Sequence, residues 1–193
     1  MKILITSIVA VALTMQANAT IFQLDIQGTA GFGLLPGNEP GSVTGGTGGE
    51  IGSGITYDDI TNLLDLTNVG WGSSQGFTDL TSSVTNSHLH GSTANANGNG
   101  FTQTAGVLVN LTRSSNAVSG GVFTNPLVDL DTFFGVNAET KEAELLAGKW
   151  YINIHTSNNG GGEMRGFLTV PEPTSIGLLG LGTCVLGLIR RRK

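Results

Sequence analysis

All three histidines of this 193-residue chain stand where imidazoles can meet. His88 and His90 are two apart in the run 84–90, which reads as a strand, so their rings share one face with Val84 and Asn86 while Thr85, Ser87 and Leu89 take the other. His155 closes a second strand pattern, 150–155, whose apolar face is Trp150, Ile152 and Ile154 and whose other face is Tyr151, Asn153 and His155. A His-x-His pair joined by a third imidazole from another strand is a nitrogen set suited to zinc or copper. Glu163, placed beside His155 if 156–162 is a hairpin loop, serves in that reading as a fourth ligand or as a partner that orients one. The same residues can serve structure alone, because imidazoles also donate to backbone carbonyls or pair with carboxylates. The first expectation is a protein without a cofactor; zinc or copper on His88, His90 and His155 is the alternative.

The final strand pattern, 163–170, puts Met164, Leu168 and Val170 on the apolar side and Glu163, Arg165 and Phe167 opposite. Across the hairpin, His155 then faces Glu163, Asn153 faces Arg165 and Tyr151 faces Phe167. Asn153, His155, Glu163 and Arg165 are expected to form a polar network that fixes register between the strands. Catalytic residues are not found: there is no Ser/His/Asp order and no paired-carboxylate motif, and the glycine run 45–49 lacks the Lys-Ser/Thr ending of a nucleotide loop. An enzyme is not expected. The single cysteine, Cys184, lies in a C-terminal apolar stretch, which removes disulfides, a thiol nucleophile and thiolate zinc ligation from the rest of the chain.

Short strands joined by many turns are what a chain with 30 glycines, rich in Asn, Ser and Thr, favours. Residues 21–27 alternate, with Phe22, Leu24 and Ile26 on the buried side. A loop broken by Gly and Pro fills 28–49, and strands are expected at 51–57, 63–71, 76–80, 84–90, 106–111 and 120–123, with Asp58 to Asn62 as a hairpin turn. One helix is expected at 138–147, capped by Asn137 and stopped by Gly148.

Both ends read as addresses. Lys2, an apolar run 3–13 and the small-x-small triplet Ala17-Asn18-Ala19 make 1–19 a secretory signal peptide. At the other end, 174–189 carries no charge and as a transmembrane helix would be about 24 Å long, just short of a hydrocarbon core of about 30 Å. Arg190, Arg191, Arg192 and Lys193 follow it and anchor the cytoplasmic side, so that what precedes Val170 lies across the membrane. Between the two ends, residues 20–169 hold 13 acidic and four basic residues, a formal charge of −9, which argues against nucleic acid and anionic lipid as partners.

The segment 170–193, with Val170-Pro171-Glu172-Pro173 ahead of a Gly/Leu-rich stretch and an Arg-rich end, resembles the PEP-CTERM sorting signal of Gram-negative exopolysaccharide-producing bacteria. That resemblance implies processing near the Pro-Glu-Pro by the membrane transpeptidase exosortase, transient anchoring in the inner membrane, and a final place in the envelope, at the surface or outside the cell. Residues 20–169 resemble the chordin-type CHRD domain through His88-Leu89-His90-Gly91, the run Glu144 to Thr156, and Gly161-Gly162-Glu163-Met164-Arg165-Gly166, with a weaker match at Asn38-Glu39-Pro40. The sequence departs from that family's pattern at 92–97 and at Asn158-Asn159. The resemblance implies an all-β, immunoglobulin-like antiparallel sandwich, here with one short helix. Together these features lead us to expect an exported, non-catalytic protein of the envelope or extracellular matrix, whose partners are exosortase and then extracellular polysaccharide or surface proteins.

Overall fold

A computed structural model describes residues 19–41 and 43–171. The expected membrane helix 174–189, the expected signal segment up to Asn18, the residues Glu172 and Pro173, and the basic end Arg190, Arg191, Arg192 and Lys193 lie outside the described residues. Among the described residues no helix is long and apolar enough to cross a membrane.

In chain order the strands are β1 (Ile21–Gly28), β2 (Gly31–Phe32), β3 (Gly48–Glu50), β4 (Ile55–Asp58), β5 (Leu63–Asp65), β6 (Val69–Trp71), β7 (Val84–His90), β8 (Val107–Asn110), β9 (Gly121–Val122) and β10 (Leu127–Asp129). Two helices follow, α1 (Leu130–Phe134) and α2 (Ala138–Leu146), and then β11 (Tyr151–Thr156) and β12 (Met164–Thr169). The pairing is antiparallel throughout. One curled sheet runs β10-β5-β4-β1-β12-β11-β7-β8 with β2 added to β1, and a smaller one runs β3-β6-β9. The curl turns on β1, whose residues 21–24 pair with β4 on one edge while 25–27 pair with β12 on the other. Leu24 and Ile26 of β1, Ile55 and Tyr57 of β4, Trp71 of β6, Leu89 of β7, Ile152 and Ile154 of β11, and Met164 and Leu168 of β12 meet in one buried cluster, as the inner faces of a β-sandwich do.

The alternating segments form where periodicity places them, and departures trace to turn chemistry. The stretch 63–71 is two strands in different sheets, because the Thr67 N–H donates to the Asp65 carboxylate (2.8 Å) and ends β5 early. Positive φ at Gly52 and Gly54 delays the strand expected from 51 until Ile55. Residues 76–80 form no strand; the chain there passes from a short 3-10 turn, Ser73–Gln75, into irregular backbone. The loop 28–49 contains β2 and β3. Neither β10 nor α1 was signalled by periodicity, although Asp129 caps α1 by accepting from the N–H groups of Asp131 and Thr132. The helix at 138 is present, but Asn137 makes no side-chain cap there and instead ends a 3-10 turn, Gly135–Asn137, that feeds the helix.

Glu163, at the loop end of the β11–β12 hairpin, does not pair with His155. Its fully buried carboxylate accepts instead from the N–H groups of Gly46 (2.8 Å) and Thr81 (2.7 Å), the hydroxyls of Thr81 (2.6 Å) and Thr156 (2.6 Å), and the Asn159 amide (3.1 Å). A dry anion surrounded by five such donors has no use for a neutral imidazole. Burial pushes the carboxyl up, yet the Thr156 and Thr81 hydroxyls with the backbone N–H groups outweigh it and hold the group below its usual 4.5. A carboxyl depressed in the folded state stabilises fully above its unfolded value and loses that contribution as pH falls through the folded value. We predict that Glu163→Gln lowers stability by about 2–3 kcal/mol at neutral pH and flattens the acid limb of a plot of stability against pH, measured by urea denaturation.

Candidate metal centre

β7 and β11 are neighbours, with Asn153 directly opposite His88 and Tyr151 opposite His90. The alternation that buries Leu89, Ile152 and Ile154 in the core therefore sends His88, His90, Tyr151, Asn153 and His155 to the other face. One nitrogen from each of the three imidazoles lies within 4.8 Å of the others. His88 Nδ1 and His155 Nε2 are 3.2 Å apart. A tetrahedral ion with bonds of 2.0–2.1 Å needs nitrogen–nitrogen edges of about 3.3 Å, so this edge already has the required length.

Two of the rings are held by their remaining nitrogens. His90 Nδ1 donates to the Ala105 carbonyl (3.0 Å) and His155 Nδ1 to the Gly160 carbonyl (3.0 Å). A carbonyl can only accept, so both Nδ1 atoms carry protons and both Nε2 atoms of the neutral rings carry lone pairs. This is how metal-bound histidines are oriented. The Nε2 of His90 is buried and has no hydrogen-bond partner among the described residues. Burial lowers His88, aided by His155 and the Arg113 guanidinium. Burial takes His90 down to about 4, against the Ala105 carbonyl and with help from His88, His155 and Arg165. His155 is lowered chiefly by burial, its Gly160 contact opposing and Arg165 assisting. Burial thus favours the neutral form of each of the three rings.

Tyr151 and Arg165 fix the floor of this face. The Tyr151 ring stacks on His90 at 4.8 Å and 4°, its oxygen accepts from Ala105 N–H (3.0 Å), and its hydroxyl reaches the Ala105 carbonyl (3.3 Å). Arg165 lies over the Tyr151 ring at 4.6 Å, donates from Nε and Nη2 to Glu39 Oε2 (3.1 and 2.7 Å), and donates from Nη1 to the Gln103 carbonyl (2.9 Å). The register of Asn153 with Arg165 and of Tyr151 with Phe167 is as the hairpin pattern implies. The expected four-member network is not formed, however, because Arg165 takes Glu39, His155 takes Gly160 and His88, and Glu163 takes the threonine hydroxyls. Glu39 Oε1 and Asn153 Oδ1, both without a donor, lie 2.4 and 2.5 Å from where a Cβ on Gly162 would stand, which leaves that position to glycine.

A model of the CHRD domain matches residues 34–168, and one of the PEP-CTERM protein-sorting motif matches 169–193. The chain belongs to the CHRD family. No curated protein and no solved structure matches it. In this CHRD protein the segments that carried the resemblance supply this face: His88 and His90 on β7, Tyr151 and His155 on β11, and Arg165 on β12. The sorting motif marks the protein for export to the envelope and for processing by exosortase, a membrane protease. Val170 and Pro171 follow β12 directly, and Val170 is exposed.

Sequence reasoning did not assign roles to Glu39, Gln103, Ala105 and Tyr151. Glu39 had a faint signal in the Asn38-Glu39-Pro40 match; Gln103 and Ala105 act through backbone atoms, which composition cannot display. Tyr151→Phe keeps the stack on His90 and removes the clamp on Ala105. The expected result is a protein destabilised by only about 1 kcal/mol that has lost the slowly exchanging Nδ1–H resonance of His90 in proton NMR.

Proposed function

We propose that this exported CHRD domain is a non-catalytic module of the cell envelope or extracellular matrix that holds one zinc or copper ion on His88, His90 and His155. The observation that carries this reading is the convergence of three ring nitrogens, one ring having a buried Nε2 lone pair that no donor among the described residues answers. A purely structural role accounts for the Ala105 and Gly160 contacts but leaves that lone pair desolvated and unpaired, which costs about 1–3 kcal/mol. An ion removes that cost and uses the same two contacts to orient its ligands.

The test is the metal content of the processed protein, recovered after export without an affinity tag. We expect one zinc or copper ion per chain, lost in His90→Ala and in the half-buried His88→Ala, with a melting temperature that rises when the ion is restored. A metal-free protein whose melting does not respond to added zinc or copper overturns the reading.

Exosortase processing near Pro171 and Glu172 is the second part of the proposal. β12 is complete at Thr169, so a cut there leaves the sandwich whole. Pro171→Ala combined with Glu172→Ala is expected to leave full-length protein in the inner membrane of an exosortase-positive host, followed by immunoblotting of membrane and medium. Unchanged release would discard this sorting step.

A further inference from the structure

Four strands of the large sheet begin or end in one row beside the first described residues. Ile21 pairs with Asp58, Asp58 with Leu63, and Leu63 with Asp129, so β1 and β5 begin where β4 and β10 end. Carboxylates gather there: Asp58 and Asp59 at the β4–β5 turn, Asp129 at the end of β10, and Asp131 in the first turn of α1. Three of them serve local structure. Asp58 accepts from the N–H groups of Ile60 (2.9 Å) and Thr61 (3.0 Å), Asp129 from those of Asp131 (3.0 Å) and Thr132 (3.2 Å), and Asp131 from the Asn62 amide (3.1 Å). The fourth, Asp59, accepts through Oδ1 from the backbone nitrogen of Thr20 at 2.7 Å, and its own N–H returns to the Thr20 carbonyl at 3.4 Å. The ion pairs among the described residues are Lys141 with Glu144 and Arg165 with Glu39, so none of these four acids has a basic partner there.

Thr20 also follows the small-x-small triplet Ala17-Asn18-Ala19, and both Ala19 and Thr20 are exposed. β1 starts one residue later, so a cut between them leaves every strand pairing of β1 in place. We propose that hydrolysis of the Ala19–Thr20 bond, an inference resting on 1–19 as an export leader, sets the new α-ammonium of Thr20 on Asp59 and locks the start of β1. Water gives its oxygen to the Ala19 carboxylate, which leaves with the leader, and both its protons to the Thr20 nitrogen, so the bond ends as one carboxylate and one ammonium. An amide donor thereby becomes a charged one without moving, and its contact with the carboxylate strengthens. The cation that this acidic end of the sheet lacks is made by processing itself.

The experiment uses the protein recovered after export. N-terminal sequencing is expected to begin at Thr20-Ile21-Phe22; a chain that keeps the leader, or begins at any other residue, overturns the inference. The α-amine is then acetylated selectively at mildly acidic pH, where lysines stay protonated, and the product is confirmed by mass. Urea denaturation compares acetylated with free protein, in the unsubstituted and the Asp59→Asn chains. Acetylation keeps an N–H on Thr20 and asparagine keeps an acceptor at 59, so the cycle isolates the two charges. We expect acetylation to lower the folded-to-unfolded ratio about 2- to 5-fold at low salt, to lose that effect in about 1 M NaCl, and to have almost none in Asp59→Asn. An equal loss in both chains, or no loss in the unsubstituted one, would overturn the ion pair while leaving the cut after Ala19 in place.

Discussion

A guanidinium sealed within a β-sandwich must have each of its faces answered, and the way Arg165 is answered sets where three distant segments lie. Its side chain and that of Glu39 are 1% and 2% exposed. Glu39 comes from the loop after β2, Gln103 from the connection between β7 and β8, and Tyr151 from the neighbouring strand, and each meets a different part of the same group. A buried pair of this kind adds little net stability, since desolvation offsets most of the attraction, but losing one partner strands the other at a penalty of about 3–5 kcal/mol. The pair therefore acts on geometry. With Arg165 fixed, Gln103 is fixed, and two residues later Ala105 presents its carbonyl to His90.

Burial makes protonated imidazoles unfavourable on this face, with smaller contributions from Arg165 on His90 and His155 and from Arg113 on His88. Histidines that serve only as structural donors gain from being charged, since charge strengthens each bond to a carbonyl. Here burial and two cations work against that charge, while each carbonyl contact holds a single proton on Nδ1. The arrangement leaves Nε2 lone pairs on His90 and His155, the latter facing His88 Nδ1 at 3.2 Å. The polar lining thus has a division of labour: Glu39 and Arg165 hold the covering loops, Tyr151 and Ala105 hold one ring, and Glu163 ties down the hairpin end without entering the centre.

Periodicity exposed the parts of this organisation that repeat every two residues. The faces of β1, β7, β11 and β12 and the register of Asn153 with Arg165 follow from alternation and one hairpin, whereas the convergence of the histidines also needs the long-range pairing of β7 with β11. The strand ends were hidden where a single side chain or a positive-φ glycine intervenes, as Asp65 does after β5 and Gly54 before β4. Glu163 was placed wrongly for a different reason. Adjacency on a strand face says which groups could meet, while a carboxylate in a dry site goes to the donors that surround it, and those come from Gly46 and Thr81, far away in sequence. Long-range pairs such as Glu39 with Arg165 carry no local pattern at all.

The junction between the domain and its sorting segment falls at a demanding place. β12 is a central strand, held by β1 on one edge and β11 on the other, so the sandwich joins residues near its two ends in one pair, Asp25 with Thr169. A cut even a few residues earlier would open the middle of the sheet and expose the core face of Met164 and Leu168. One residue beyond the strand, Val170 is exposed and pairs with no strand, so the chain leaves the fold there abruptly. Proline at 171 supplies no N–H that could extend the ladder, and so it ends the strand at the boundary between the domain and the motif. Folding and sorting can thus proceed on adjacent residues without competing for the same backbone.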